Sequence, residues 1–286
     1  NAPSTVAFGV DRFREAQVLD WIQRQPWAPK VLHNDWQRGW CLMIDAGESL
    51  LCETKLGDLS KPLLSIVSDL QLFYSAEPPL QMDYDQLWQR YRRVYSEHCQ
   101  NAPRTTLSAI ELFRELLELS AEKTRQLPKT APCLVHHDLH PGNICFNDGQ
   151  LTVLDLEYAG IGSAWFDAAG LRRQFAVSSG KLGTLPAFQA FSSVQVLEGL
   201  AQADWINESL ELLWHSVRDL QRGSQCDLQP VLQSGSQCRS RADNLLQTVA
   251  RAVRLLEEGQ AGEGKAGERQ AGERQAEESK AKEDNR

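Results

Sequence analysis

The sequence predicts an α+β fold, with a small mixed segment followed by a helix-rich lobe that has one β-hairpin inserted. Three observations predict it. Apolar residues recur with helical period over most of the chain. Two short apolar runs flank a turn at Gln37 to Gly39, near the front. Two more flank Asp148-Gly149, a favoured tight-turn pair, in the middle.

Size and composition fit this class. The chain has 286 residues, 42% hydrophobic and 24% charged, which is ordinary for a globular protein with a proper core. A net charge of -8 argues against nucleic acid or an anionic membrane as partner. It leaves room for a small cationic substrate. No apolar run approaches the roughly 20 residues that span a bilayer, and no signal peptide is visible. The seven cysteines include no C-x-x-C pair, and Cys41, Cys133 and Cys145 sit in apolar, strand-like contexts. They read as reduced thiols of a cytoplasmic protein.

The elements follow in order. Residues 11–24 carry Phe13, Val18, Leu19 and Ile22 at helical spacing. "KVLHND" and "GWCLMID" read as two short strands. Helices are predicted over 60–74 and 84–97, the second with Leu87, Trp88, Tyr91, Val94 and Tyr95 on one face. A long amphipathic helix over 106–126 ends before Pro128 and Pro132. The hairpin comes next. Four helices follow, over 164–177, 185–203, 205–221 and 240–257. "GSQC" at 223–226 and again at 235–238 reads as polar loop. Beyond Gly259 runs a five-residue repeat, "QAGEG KAGER QAGER QAEES KAKED", with nothing larger than alanine to bury. Its glycines each cost a helix about 1 kcal/mol, so a disordered tail is expected.

The chemistry concentrates in "LVHHDLHPGNICFNDGQLTVLDLEYAG", Leu134 to Gly160. "ICF" and "LTVLD" form the hairpin around "NDGQ". An antiparallel hairpin brings its two ends side by side, which places Asn143 next to Asp155, α-carbons on the order of 5 Å apart. One carboxylate and one amide oxygen make a hard-oxygen pair of the kind that suits Mg²⁺, with phosphate and water completing the shell. Asp138 lies just upstream, in a loop tightened by Pro141-Gly142. His136-x-Asp138-Leu139-x-x-x-Asn143 has the spacing of the protein-kinase catalytic loop, and Asp155 falls where the kinase metal-binding aspartate follows.

"HHDLHPGN…VLDLEYAG" resembles the aminoglycoside phosphotransferase and choline kinase superfamily, above all its thiamine kinase and choline kinase branches. The resemblance is specific over about 134–170 and looser elsewhere. It implies a protein-kinase-like, two-lobed fold and transfer of the γ-phosphate of ATP to a small-molecule hydroxyl. It implies Asp138 as catalytic base, Asn143 and Asp155 as Mg²⁺ ligands, and His136 and Asp167 as supports of the loop. Glu15 matches the family's helix glutamate, which pairs with a lysine or arginine on the preceding strand. "LMIDAG" matches the strand and hinge, where adenine docks on backbone groups of Ile44 to Ala46. Glu157, two residues after Asp155, is placed to contact metal-bound water or a cationic substrate, and Trp205 and Trp214 lie on the late helices that form the acceptor pocket in relatives, for thiamine or choline/ethanolamine. An aromatic face there suits a quaternary or thiazolium cation. The expected division is 1–46 as a partial N-terminal lobe and hinge, 47–258 as the helical lobe, and 259–286 as the tail.

Two positions depart from the family pattern. His137 follows His136 where many relatives have glycine. No Gly-rich loop precedes Glu15 and no strand lysine is found, since Lys30 comes after the helix. A chain shortened just after that strand is expected to bind nucleotide weakly or turn over poorly.

Other readings fit some of the same residues. Glu15 also fits an ordinary solvent-facing helix glutamate, and Trp205 and Trp214 fit core packing. His137 and His140 fit structural roles, and Glu157 a structural ion pair. Three histidines and an aspartate within 136–140 resemble a zinc cluster, hence a metallohydrolase. That reading leaves Asn143 and Asp155 without a role, and His33, His98 and His215 lie in no ligand motif. An aminoglycoside or sugar kinase of the same fold fits the motif as well. A non-catalytic kinase-like binding protein would have no chemical need for Asp138, Asn143 and Asp155 together.

Overall fold

A computed structural model describes residues 10–51, 58–99, 104–226 and 250–257. The repeat tail and residues 227–238 lie outside the described residues, whereas the first "GSQC", 223–226, is not a loop but the end of a helix over Ser193–Cys226. The chain forms two compact units. One comprises Asn1–Arg90 with Lys123–Glu208, and the other Tyr91–Glu122 with Ser209–Arg286.

The first unit holds every described strand and opens with α1, Arg12–Ile22. Asp11 caps it, its Oδ1 accepting the N–H groups of Phe13 at 3.0 Å and Arg14 at 3.1 Å. One face of α1 buries Arg14, Val18, Leu19 and Ile22. Trp27 follows, buried, with Nε1 donating to Asp69 at 3.0 Å. Strands β1, Val31–Asp35, and β2, Trp40–Met43, form an antiparallel ribbon. Leu32, Trp40 and Leu42 remain exposed on it.

The chain then crosses to β3, Glu48–Ser49, which pairs with the central hairpin. That hairpin is β5, Ile144–Asn147, and β6, Gln150–Val153, in the sheet order β3-β5-β6. Asp148 and Gly149 both have positive φ, 49° and 83°, as a two-residue turn of the favoured hand requires. On its far edge β6 is held by Trp27, whose carbonyl accepts the Val153 N–H at 2.9 Å. A second ribbon joins β4, Cys133–Val135, to β7, Gly160–Gly162. It was not anticipated as a pair. Helix α2, Ser60–Gln71, packs against β4 and buries Leu63, Ile66, Val67 and Leu70.

Helices α3, Tyr84–Cys99, and α4, Arg104–Gln126, follow the periodicity of the sequence closely. Helices α5, Trp165–Phe175, and α6, Ser179–Leu182, come after β7. The late helices differ from expectation. Residues 186–188 form only a short 3₁₀ turn, and 193–226 is one continuous helix, α7, Ser193–Cys226. Neither proline nor glycine interrupts it at residue 204. There Asp204 pairs with Arg172 Nε at 3.3 Å instead of capping a new helix. Gly199 is required in α7, because a Cβ there would meet the Trp165 ring at 2.5 Å. The 240–257 helix is seen only as its end, 250–257, in the described residues.

In the second unit Tyr95 is buried and stacks on Phe113 at 6.2 Å. Its hydroxyl is satisfied by Ser216 and the Leu213 carbonyl. Ile110, Leu116, Leu117, Leu212 and Val217 are buried as well. Among the described residues, no helix is long and apolar enough to cross a membrane. Cys41, Cys133 and Cys145 are free thiols, and burial pushes Cys133 up to about 12.

Candidate active site

The two small sheets set the frame. β4 runs directly into His136, and β7 takes up the chain just after the turn that follows Asp155. The loop between is held from behind by Asp167, in the first turn of α5. Its two oxygens accept the backbone N–H groups of His136 at 2.8 Å and His137 at 2.9 Å. Burial raises the Asp167 pKa, against the lowering effect of His136 and those two donors.

His136 is fully buried and braces the loop through both nitrogens. Nδ1 accepts the Asp138 N–H at 3.2 Å, so Nε2 carries the proton and donates to the Leu154 carbonyl at 2.9 Å. His137 turns back into the protein. Its Nε2 meets the Tyr84 hydroxyl at 2.8 Å, and that hydroxyl accepts the Ser163 N–H at 3.0 Å. A Cβ on Gly162 would collide with this Tyr84 hydroxyl, so glycine is needed there. Burial, then the charge of Arg14, push His137 down to about 3. Its φ is 66°, the left-handed region that glycine enters freely, which accounts for a glycine-favouring position here.

His140 folds back over Gly142, Nδ1 accepting that N–H at 3.0 Å. Its Nε2 lies 3.6 Å from Asp138 Oδ2. The three histidines thus point to three different neighbours. Among the described residues, no three His, Cys, Asp or Glu side chains are placed to hold a metal ion.

Asp138 faces solvent, with 43% of its side chain exposed. Asn143 is buried and fixes it, Nδ2 donating to Asp138 O at 2.9 Å and to Asp138 Oδ2 at 3.0 Å. This use of both amide hydrogens leaves Asn143 Oδ1 as a remaining acceptor. The hairpin register differs by one residue from expectation. Ile144 pairs with Val153, and the Leu154 N–H donates to the Asn143 carbonyl at 2.8 Å. Leu154, not Asp155, therefore sits directly opposite Asn143. The cause is that pairing runs straight through the two-residue turn, so the rungs sum evenly from Asn147 and Gln150 outward. Asp155 follows with φ 57° and ψ 59°, a left-handed residue that turns the chain into the next 3₁₀ turn, Leu156–Tyr158. Its carboxylate makes no hydrogen bond among the described residues. Burial raises its pKa, and the Asp138 charge adds to this, against His136, Arg12 and His140.

Glu15 lies beside this region, but the partner it shows is on its own helix. Arg12 Nη1 meets Glu15 Oε2 at 2.7 Å, while Arg12 Nη2 reaches Glu157 Oε2 at 3.3 Å. Burial and the Asp155 charge raise the Glu157 pKa. Arg14 is buried and ties α1 to the same segment, Nε donating to the Ala159 carbonyl at 2.9 Å. Neither arginine was singled out from sequence, although Arg12 and Glu15 have the i, i+3 spacing of a helix ion pair.

Ile44 and Ala46 lie between β2 and β3. The Ile44 N–H is already bonded to Lys30 O at 2.9 Å, and Asp45 Oδ1 accepts the Gly47 N–H at 3.0 Å. Gly47 has φ 88°, and a Cβ there would meet the Phe146 carbonyl of the hairpin at 2.9 Å. The two tryptophans carry cations of the chain itself. Lys123 lies 5.3 Å from the Trp205 ring centre, and Arg218 lies 4.5 Å from that of Trp214.

This fold is the kinase-like fold of small-molecule phosphotransferases. The chain is similar to choline kinase LicA from Streptococcus pneumoniae, with 16% identity and a TM-score of 0.53, over 87% of this chain and 84% of that one. It is similar to APH(2")-IIa, solved as a ternary complex with streptomycin and ATP, with 15% identity and a TM-score of 0.51, over 84% and 82%. It is also similar to a choline/ethanolamine kinase family protein from Mesorhizobium loti, with 14% identity and a TM-score of 0.51, over 87% and 79%. No curated protein matches by sequence. The chain belongs to the phosphotransferase enzyme family, whose model matches residues 10–205.

Proposed function

We propose that this protein transfers the γ-phosphate of ATP to the hydroxyl of a small molecule, with thiamine, choline and ethanolamine as the leading acceptors. One observation carries the reading. Asn143 locks the solvent-facing Asp138 in place, while the nearby Asp155 carboxylate has no hydrogen-bond partner among the described residues.

The residues present fit a magnesium ion. Asn143 Oδ1 and the Asp155 carboxylate are hard oxygen donors, and Mg²⁺ commonly takes only one or two protein ligands beside phosphate and water. A carboxylate pushed towards its neutral form by burial and by Asp138 is relieved when a cation arrives. Bound there, the ion would neutralise phosphate charge.

The chain's own residues do the rest. Asp138 orients the acceptor hydroxyl and takes its proton as the oxygen bonds to the γ-phosphorus. The bond from that phosphorus to the bridging oxygen breaks, and ADP leaves. His136 and Asp167 keep Asp138 in position through the backbone. Adenine docks on the segment from Ile44 to Ala46, through the Ile44 carbonyl and Ala46, since the Ile44 N–H is already bonded. Glu15 acts through Arg12. The acidic surroundings of Asp138, Asp155 and Glu157 favour a cationic acceptor. Trp205 would join the acceptor site only by exchanging Lys123 for the substrate's cation.

The test is a phosphotransfer screen with ATP and Mg²⁺ against thiamine, choline, ethanolamine, aminoglycosides and simple sugars. ADP release and a phosphorylated product are followed together. Acceptor-dependent ADP with thiamine or an amino alcohol is expected. A product from an aminoglycoside or sugar alone would move the substrate class, and no product from any acceptor would sink the reading.

A further inference from the structure

The reaction as described uses Arg12 only as the partner of Glu15, and gives its outward face no task. It is the first residue of α1, and its side chain lies over two carboxylates from different parts of the chain. Glu15 and Glu157 are the more buried partners, at 15% and 22% exposure, whereas Arg12 is 47% exposed. The guanidinium therefore forms the solvent side of the cluster. Its two contacts use Nη1 at 2.7 Å and Nη2 at 3.3 Å. A guanidinium has five N–H donors, so hydrogens remain for a further acceptor on the open side.

Glu157 is two residues from Asp155, so the guanidinium sits at the edge of the oxygen site. Asp155 and Glu157 both sense its charge, as they sense that of Asp138. A polyphosphate that approached these carboxylates would meet repulsion unless cations stood between. Arginine is the side chain best shaped for phosphate oxygens, by its planar fork and permanent charge. A half-exposed ion pair contributes little to stability alone. Held at two points, however, it has already lost the rotamer freedom that binding a phosphate would otherwise remove.

We propose that Arg12 is a phosphate-binding residue of the nucleotide site, held ready by Glu15 and Glu157 to pair with the polyphosphate oxygens of the co-substrate. This rests on the phosphotransfer reading above. The guanidinium keeps its bridge to the two glutamates and offers its outward N–H groups to the β- and γ-phosphates.

The experiment titrates the full chain, R12A and R12K with ATP, ADP, AMP and adenosine in the presence of Mg²⁺, with thermal melts alongside. In R12A the affinity for ATP and ADP should fall about tenfold or more, while adenosine stays within about twofold and the melting temperature holds. R12K should recover part of the loss, since it restores charge without the fork. Equal losses for ATP and adenosine, or none for either in both variants, would overturn the assignment and leave a structural clamp. If the unaltered chain binds none of the four ligands, the phosphotransfer reading fails, and this inference with it.

Discussion

The loop from His136 to Asn143 has two sides, and they are built on opposite principles. Behind it, His136, His137, Asp167 and Tyr84 form a buried network in which Asp167 holds two backbone N–H groups and His136 uses both ring nitrogens. In front, Asp138 is open to solvent, and Asp155 makes no hydrogen bond among the described residues. The back is hydrogen-bonded at all of these groups except His137 Nδ1, while the front keeps acceptors in reserve. Two left-handed residues, His137 at φ 66° and Asp155 at φ 57°, mark the passage from one side to the other. Such strain persists only where the surroundings hold it, and the bonded back supplies that hold. On the proposed reading, a site that binds a metal and takes a proton needs oxygens the fold has not already used.

Substitutions on the open side should therefore affect chemistry and hardly affect folding. The largest effect is expected for Asp138→Asn. It keeps the shape and removes the base, so kcat should fall by roughly 10²–10⁴. ADP affinity should stay within a few-fold and the melting temperature should not drop. Steady-state rates and an ADP titration check this, and a near-normal kcat would remove Asp138 from the role. Asp155→Ala comes next. It should weaken ATP binding on the order of 10–100-fold in Mg²⁺, and leave little difference between binding with and without the metal. If the variant's ATP affinity still rises with Mg²⁺ as the parent's does, Asp155 is not a ligand.

The closed side should respond in the opposite way. Asp167→Asn leaves one carbonyl oxygen for two buried N–H donors, and sets an amide against one of them. An unsatisfied buried group costs about 1–3 kcal/mol. The melting temperature should drop by several degrees, and kcat should fall less than in Asp138→Asn. A thermal melt beside the rate measurement separates the two. An unchanged melt would show that Asp167 does not brace the loop.

How much of this was legible beforehand follows the same division. Periodicity placed α1 to α4 well, because each buries one face, whereas α5 is buried all round from Trp165 to Ala169. The hairpin was legible because Asp148-Gly149 names its own turn type. The spacing of Asp138, Asn143 and Asp155 marked the open side, and His136 at its start marked one residue of the closed side, because the kinase-like pattern carries those residue types in that order. The closed side was less legible. Tyr84 and Gly162 meet His137 only through tertiary contact, and nothing near them in sequence announces it. The three-residue strands β4 and β7 are too short to show a period. Arg12 carried a weak local signal, the spacing to Glu15, but its reach to Glu157 depends on how α1 packs against the turn after Asp155. Helix α7 was split in two because its periodicity is interrupted by polar residues that pair with neighbours, as Asp204 does with Arg172.

The smallest effect at neutral pH, and the sharpest test of the closed side, concerns His137. Its folded pKa, about 3, lies below the unfolded value near 6.5. Between those values the unfolded chain binds the extra proton, so stability rises with pH. The contribution is complete above about pH 6.5 and drains away towards pH 3, by roughly 1.4 kcal/mol per pH unit from this one group. His137→Gly removes that titration and relieves the left-handed backbone, worth about 1–2 kcal/mol. It also forfeits ring contacts with Tyr84 and Phe166, whose centres lie 5.7 Å and 5.5 Å away, and the partner of the Tyr84 hydroxyl. These terms oppose one another, so denaturant unfolding at pH 7.5 should differ by no more than about 1–2 kcal/mol from the parent. Below pH 6 the parent's stability should fall more steeply than the variant's. Parallel curves down to pH 4 would mean that the ring is charged or solvated in the folded state, and that the back of the loop is less closed than its hydrogen bonds describe.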